Sequence, residues 1–212
     1  MSFDRVAPYY DQLAGLVFGR ALRRAQCCFL DQIPPGARVL VVGGGTGWLL
    51  PHLLERPEVV HITYLEASAA MLTLAQQQVN DLGTPVAAAV RWVHGDERQL
   101  ASEDQYAVVI TNFVLDMYVG AALDGLMKRL LKHLHPGGYW LFADFRLSDK
   151  QAHRMWQWVM AQAMYAFFHL TAGIARQPLP AYHRHFAALG LRLTHEKTFY
   201  ADFIVSRVYR WS

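Results

Sequence analysis

Runs of largely apolar residues alternate along the chain with segments in which apolar residues recur every three or four positions. The runs, which are typical of strands buried on both faces, lie at residues 39–42, 61–66, 86–93, 108–113 and 139–145. Helical spacing is present in residues 13–29, 68–79, 123–134 and 182–190. Two further strands are predicted at residues 191–199 and 203–211. Strands that alternate with helices predict an α/β sheet.

Residues 148–176 depart from this alternation. They carry two neighbouring apolar stripes, one through Met155 and Val159 and the other through Trp156 and Met160. A helix that is apolar around so much of its circumference is expected to be covered on more than one side. The segment is therefore either a lid over a ligand site or a densely packed core helix.

The chain becomes glycine-rich where the first run ends, in the sequence GGGTG. Gly43, Gly45 and Gly47 can adopt backbone angles closed to other residues and place no side chain between the backbone and a ligand. Gly44 completes the loop. A strand followed by such a loop and a helix is the first unit of a nucleotide-binding sheet.

Glu66 closes the second apolar run, about 20 residues beyond the loop, where a carboxylate can receive ribose hydroxyls. A dinucleotide fingerprint requires a third small residue at position 48, which here is Trp48. A dinucleotide site is therefore disfavoured.

The glycine loop followed by Glu66 resembles the first motif and the ribose acid of the class I S-adenosylmethionine-dependent methyltransferases. Gly95-Asp96, residues 106–118 and residues 133–145 resemble the family's third-strand acid, fourth strand with its loop, and turn into the fifth strand. The resemblance covers residues 36–146 closely. It implies a doubly wound, seven-stranded Rossmann-like methyltransferase sheet with a helical lid, in which strands 1–6 are parallel and strand 7 is antiparallel.

The resemblance also implies S-adenosylmethionine as the cofactor, with Glu66 on its ribose and Asp96 on its adenine amino group. Asp96 could instead be an ordinary loop cap, and Tyr9 could anchor a helix start rather than fold over the cofactor. Val41 stands where the family usually has an acid. The cofactor-binding residues expected are Tyr9, Gly43, Gly44, Gly45, Gly47, Glu66, Ala67, Asp96, Thr111 and Asn112.

Three residues are candidates for a general base, which would help if the acceptor is a hydroxyl or an acidic carbon. Asp116 and Asp144 lie close to the carboxyl ends of predicted strands, and His169 lies in the lid segment. Each could equally be a cap, an ion-pair partner or the polar edge of a helix.

Composition narrows the class of protein. The 212 residues, 53% of them hydrophobic and 17% charged, suit one domain, divided into an N-terminal helical cap (1–32), a cofactor-binding core (36–146), a lid (148–180) and a closing helix with strands (181–212). No apolar stretch is long enough to span a bilayer and no signal peptide is recognisable, so a cytoplasmic location is expected. The net charge is +3, but the basic residues are scattered along the chain, which argues against nucleic-acid binding. Adjacent Cys27 and Cys28 suggest neither a disulfide framework nor a metal site.

These features together predict a methyltransferase that acts on a small acceptor. The aromatic and methionine content of the lid favours an apolar or aromatic molecule. A non-catalytic protein that keeps the fold stays open because of Val41, and an NAD(P)-dependent oxidoreductase is less favoured. A homodimer is also left open.

Overall fold

Seven strands form a single sheet that organises the molecule. The structure is a computed structural model and describes residues 15, 17–83, 89–148, 150–172 and 179–212, without the side chains of residues 152 and 163–172. The strands are β1 (Ala37–Val42), β2 (Val59–Glu66), β3 (Val90–His94), β4 (Tyr106–Asn112), β5 (Leu134–Phe145), β6 (Leu191–Phe199) and β7 (Ile204–Trp211). The described helices are α1 (Ala21–Cys27), α2 (Leu50–Leu54), α3 (Ala69–Asn80), α4 (Gly120–Leu131), α5 (Gln151–Ala172) and α6 (Tyr182–Ala188).

The strand order is β3-β2-β1-β4-β5-β7-β6. β7 runs antiparallel to both β5 and β6, while the pairs from β3 to β5 are parallel. Strands 1–6 therefore point the same way, and the predicted doubly wound sheet with one antiparallel strand is confirmed. The order reverses between β1 and β4, which places a ligand crevice at the carboxyl ends of these strands.

Helix and strand boundaries differ from the predicted ones by a few residues where a turn signal was misplaced. The helix predicted at residues 123–134 is Gly120–Leu131, since Leu134 already pairs with Tyr106 of β4 as the first residue of β5. The helix after the glycine loop has only five residues, begins at Leu50 and has Pro51 in its first turn.

Successive side chains of each strand point to opposite faces of the sheet, so the core is divided between the two faces. Leu40, Val109 and Trp140 pack on one face with α4 and α6. Val39 and Tyr64 pack on the other face with α2 and α3. Because both faces are covered, the central strands are buried and the site can open only at their ends.

A third apolar cluster covers the carboxyl end of β5 and the amino end of the antiparallel β7. It joins Phe18, Phe145 and Phe203 to Trp156 and Ala161 of α5. α5 lies where the lid was predicted, but only one of its two apolar stripes is covered over the described side chains.

The other stripe of α5 is exposed. Met155 has 78% of its surface accessible, and Trp158 and Val159 are also exposed. The expectation that the helix is covered on more than one side is therefore not met at these three side chains. Within the part of the chain that the structure describes, no helix is long and apolar enough to cross a bilayer.

The turn between β6 and β7 anchors the start of α5. Tyr200, Ala201 and Asp202 all have left-handed backbone angles, with φ of 52°, 50° and 67°. The side-chain amide of Gln157 donates to the Ala201 carbonyl at 2.6 Å and accepts from the Ser148 backbone amide at 2.7 Å. The strained turn is thus held by α5, and α5 is positioned by the turn.

β6 forms one edge of the sheet and is exposed over most of its length. Residues 192–197 are accessible on both faces of the strand. Glu196 pairs with Arg207 on β7 at 2.6 Å. The neighbouring Arg192, His195 and Lys197 point into solvent.

Replacing Trp140 with Phe tests the core on the first face. Trp140 is fully buried, and its indole donates to Thr111 Oγ1 at 2.9 Å. The lost volume and hydrogen bond should reduce the free energy of unfolding by about 2 kcal/mol, measured by urea denaturation. The matched Trp158→Phe change, at an exposed position of α5, should alter it by less than about 0.5 kcal/mol. Equal losses in the two variants would contradict this assignment of the core.

Candidate functional site

The glycine loop leaves β1 and forms the floor of a cavity. Gly43, Gly45 and Gly47 have φ of 62°, 66° and 90°, the left-handed conformation that other residues rarely adopt. A Cβ at Gly45 would meet no atom within 4 Å, so this residue faces open space. A Cβ at Gly47 would lie 2.7 Å from the Cβ of Ala75, so α3 packs directly against the back of the loop.

Glu66 is fixed at the centre of the loop. Its Oε2 accepts a hydrogen bond from the backbone amide of Gly45 at 2.9 Å, and its Oε1 accepts one from the amide of Ser68 at 2.8 Å. The residue is only 7% exposed. A carboxylate bound by two backbone amides is rigid and retains lone pairs for a ligand.

A cavity of about 200 Å³ lies above the loop at the point where the strand order reverses. Most of the predicted cofactor-binding residues line it, namely Gly43, Gly44, Gly45, Glu66, Ala67, Asp96 and Asn112. Gly47 is not among the lining residues, because this end of the loop packs against Ala75 of α3. Thr111 is fully buried, with its hydroxyl bound by Trp140. Tyr9 lies outside the described residues.

Asp96 is a loop cap, one of the two roles that the sequence left open, and it also lines the cavity. Its carboxylate accepts from the backbone amide of Arg98 and caps the turn Glu97–Gln99, and the side chain of Gln99 accepts from the Asp96 amide in return. The hydrogen bond from the Arg98 guanidinium lowers the pKa of the Asp96 carboxyl. Asp96 is therefore a capping residue that also presents a charged carboxylate to the cavity.

The structure brings two of the three candidate bases into contact. The backbone amide of Asp116 donates to Asp144 Oδ2 at 3.2 Å, and Phe145 donates its amide to Oδ1 at 2.8 Å. Asp144 is fully buried and Asp116 is 6% exposed. Their neighbours Met117 and Tyr118 line the cavity, so the pair lies directly behind its wall. The third candidate, His169, lies on α5, but its side chain is outside the described set.

Burial governs the ionisation of this pair. Loss of solvation raises the pKa of Asp116 to about 7. The pKa of Asp144 is also raised, first by burial and then by the negative charge of Asp116. Two carboxyls this close share one proton more readily than they hold two charges, so the loop over Asp144 is held by a partly protonated pair.

An apolar and aromatic wall lines the cavity beside the glycine loop, with Val114 packed against Gly43. Phe113 lines the cavity and has a φ of 55°, an uncommon conformation for a bulky residue. Its ring centroid lies 5.1 Å from that of Phe145, within the third apolar cluster. Val114, Met117 and Tyr118 continue the wall. Burial raises the pKa of Tyr118, which keeps its phenol protonated at neutral pH.

Trp48 and Gln26 are among the lining residues that sequence reasoning did not assign to the site. Trp48 was used only as evidence against a dinucleotide site and as the restart of an apolar pattern, yet it lines the cavity, and the guanidinium of Arg23 lies 5.0 Å from its ring centroid. Gln26 of α1 also reaches the cavity. The position of Trp48 directly after the loop was a usable signal, whereas nothing local to α1 marked Gln26.

The charged side chains that line the cavity share one sign. The charged side chains among its described lining residues are Glu66, Asp96 and Glu97, all acidic. Glu97 pairs with Arg129 at 2.6 Å, and Asp96 pairs with Arg98. Over the described residues, no group of three or more His, Cys, Asp or Glu is placed to hold a metal ion.

Comparison with known proteins gives a consistent picture. A family model described as a methyltransferase domain matches residues 17–196. The malonyl-[acyl-carrier protein] O-methyltransferase of Priestia megaterium is 31% identical over 107 residues, which cover 50% of this chain and 36% of that protein. The ubiquinone/menaquinone biosynthesis C-methyltransferase of Vibrio vulnificus is 29% identical over 147 residues, which cover 68% and 55%.

Solved structures share the fold. The 1,6-didemethyltoxoflavin-N1-methyltransferase of Burkholderia thailandensis, crystallised with 1,6-didemethyltoxoflavin and S-adenosylhomocysteine, superposes with a TM-score of 0.67 at 16% identity. The match covers 99% of this chain and 86% of that one. The chain spans only 36% and 55% of the lengths of the two curated relatives.

The carboxyl pair predicts a pH dependence of stability. Because folding raises both pKa values, the folded state binds more protons than the unfolded state between about pH 4 and pH 7. Stability from this source is fully present at low pH and is lost as the pH rises through 7, by up to about 1.4 kcal/mol per pH unit for each proton. Asp144→Asn removes one charge and should flatten the decline, as measured by urea unfolding from pH 5 to pH 8.

Asp202→Asn is the matched control for this test. Hydrogen bonds from Thr198 and Lys150 lower the pKa of Asp202, so that carboxyl titrates below the window measured. The control should retain the pH profile of the unaltered protein. An Asp144→Asn variant that shows the same decline from pH 5 to pH 8 as the unaltered protein would contradict the assignment.

Proposed function

Since the chain belongs to the class I S-adenosylmethionine-dependent methyltransferases, we propose that it transfers a methyl group from S-adenosylmethionine to a small, neutral acceptor with an apolar or aromatic body. The glycine loop, Glu66 and Asp96 support the cofactor, and the wall from Phe113 to Tyr118 supports the acceptor. The charge of the cavity is the observation that carries the proposal for the acceptor.

The residues present fit an adenosyl group. Gly45 faces open space on the cavity side, so a ligand can approach the backbone without meeting a side chain. The ribose diol and the adenine amino group are hydrogen-bond donors, and the loop is flanked by carboxylates at the ends of β2 and β3 that can accept from them. Glu66 would receive the ribose hydroxyls, and Asp96 would receive the adenine amino group.

When bound, S-adenosylmethionine supplies a methyl group that is already activated toward nucleophiles. The work left to the protein is to align the acceptor and to exclude water. Phe113, Val114 and Met117 provide an apolar surface for this purpose. The neutral phenol of Tyr118 can donate a hydrogen bond to an acceptor oxygen, which would fix the acceptor's orientation.

Electrostatics selects among acceptor classes. The charged groups among the described lining residues are all acidic. Asp96 and Glu97 are ion-paired, and the carboxylate of Glu66 disfavours an acceptor that carries a negative charge of its own. The malonyl group named for one relative is an acid, whereas the ubiquinone and menaquinone biosynthesis named for the other involves aromatic compounds. The cavity therefore favours an acceptor closer to the second kind. An uncharged aromatic ring also matches the rings of Phe113 and Tyr118 in shape.

Binding of S-adenosylhomocysteine tests the cofactor site. At about 100 times its dissociation constant, this compound should add roughly 2.7 kcal/mol to the stability of the unaltered protein, seen as a rise in Tm. Glu66→Gln should lose most of this rise, because an amide has one oxygen in place of the two that now bind Gly45 and Ser68. Glu103→Gln, at an exposed site, is the control. A rise with NAD instead would sink the proposed cofactor.

Matched acceptors test the charge argument. Pairs of phenols that differ by a single added carboxylate should be compared in methyl-transfer assays under saturating cofactor. The carboxylated member of each pair should show at least a tenfold lower kcat/KM, equivalent to about 1.4 kcal/mol of repulsion. Preference for the carboxylated members across the panel would overturn the proposal of a neutral acceptor while leaving the cofactor site intact.

A further inference from the structure

Gly45 is held by side chains of β2 on both of its backbone polar groups. The hydroxyl of Tyr64 donates to the Gly45 carbonyl at 2.9 Å, while the Gly45 amide donates to Glu66 Oε2 at 2.9 Å. Tyr64 and Glu66 are two residues apart on one strand, so their side chains leave the same face of the sheet. Two side chains of β2 thus hold one residue of the loop by hydrogen bonds to its amide and its carbonyl.

Tyr64 also fills the space beneath Gly44. A Cβ at Gly44 would lie 2.3 Å from Cε2 and Cζ of the Tyr64 ring and 2.4 Å from its hydroxyl oxygen. Gly44 does not have a left-handed φ, so its backbone alone would accept alanine. The ring is therefore the reason that this position is glycine. It is fully buried, and its edge packs on Trp92 with ring centroids 5.2 Å apart.

The neighbouring position on β1 explains why this support matters. Val41 pairs in register with Tyr64 and lines the cavity, but it has no polar atom to offer the loop. The side-chain hydrogen bonds that hold Gly45 therefore come from β2 and not from Val41 of β1. We propose that Tyr64 is a positioning residue for the cofactor, acting through the backbone of Gly45 and paired with Gly44.

This inference rests on the proposed function, since the positioned loop is the proposed cofactor site. Tyr64→Phe removes the hydroxyl and keeps the ring. Without its partner, the Gly45 carbonyl is no longer fixed, and the affinity for S-adenosylhomocysteine should fall by about 3- to 10-fold, measured by titration calorimetry. The KM for S-adenosylmethionine should rise by a similar factor with kcat little changed, because the hydrogen bond that is removed is made to Gly45 of the proposed cofactor loop.

Tyr106→Phe is the matched control. Tyr106 is also fully buried in a central strand, and its hydroxyl accepts from Arg91 at 3.1 Å, away from the cavity lining. This variant should lose comparable stability and keep the affinity of the unaltered protein. If both variants weaken binding equally, or if Tyr64→Phe binds within twofold of the unaltered protein, the proposal is overturned.

A double-mutant cycle tests the pairing of Gly44 with Tyr64. Gly44→Ala should displace the ring and weaken binding on its own. In a Tyr64→Val background, where the ring is absent, the same change should have little further effect. Additive losses in the cycle would show that the two residues act separately, against the proposal.

Amide hydrogen exchange in the protein without ligand tests the positioning role of Tyr64 separately from the proposed methyltransferase function. The Gly45 amide should exchange faster in Tyr64→Phe than in the unaltered protein and stay slow in Tyr106→Phe. If the unaltered protein failed to bind S-adenosylhomocysteine, the proposed function would fall, yet this exchange difference would still support the positioning of Gly45 by Tyr64. Unchanged exchange in Tyr64→Phe would overturn this positioning role whatever the protein binds.

Discussion

The carboxylate of Glu66 is the contact that ties the glycine loop to the sheet. A loop with three left-handed glycines has few side chains of its own to restrain it, so its conformation must be imposed by neighbours. Glu66 does this by accepting from the Gly45 amide, and the Ser68 amide fixes Glu66 in turn. The start of α3, the end of β2 and the loop after β1 thereby form one hydrogen-bonded unit. The same carboxylate faces the cavity, so one side chain both shapes the site and lines it.

The wall of the cavity from Phe113 to Tyr118 is held mainly by packing between apolar side chains. Phe113 holds an uncommon backbone conformation, and its ring is supported by Phe145 and, through it, by the third apolar cluster. That cluster also receives α1, α5 and the left-handed turn between β6 and β7. The wall at Phe113 is therefore supported by packing over elements distant in sequence, while the glycine loop is supported by hydrogen bonds from the neighbouring strand. Behind the wall, the Asp116 and Asp144 pair adds a contact that depends on proton occupancy.

The parts of the site that could be predicted from sequence are those dictated by the backbone. Glycines in a tight loop and an acid at a strand end leave a local signal, and Gly45, Glu66 and Asp96 all line the cavity. Thr111 and Asn112 were assigned together, but neighbouring strand residues point to opposite faces, and Thr111 is buried against Trp140. The role of Tyr64 and the contact of Gln26 depend on tertiary neighbours, which no local pattern encodes. Alternating strands and helices predicted an α/β sheet, and the seven strands with one antiparallel member were implied by the resemblance of the motifs to the family.

The exposed edge strand β6 has a consequence for how the protein behaves at high concentration. An open edge offers unpaired amides and carbonyls to any extended segment that approaches, and is a common starting point for aggregation. Residues 192–197 carry Arg192, His195, Glu196 and Lys197, so an added strand would have to bury several hydrated charges. The charged strand that completes the sheet within one molecule therefore also disfavours the addition of a strand from another molecule at this edge.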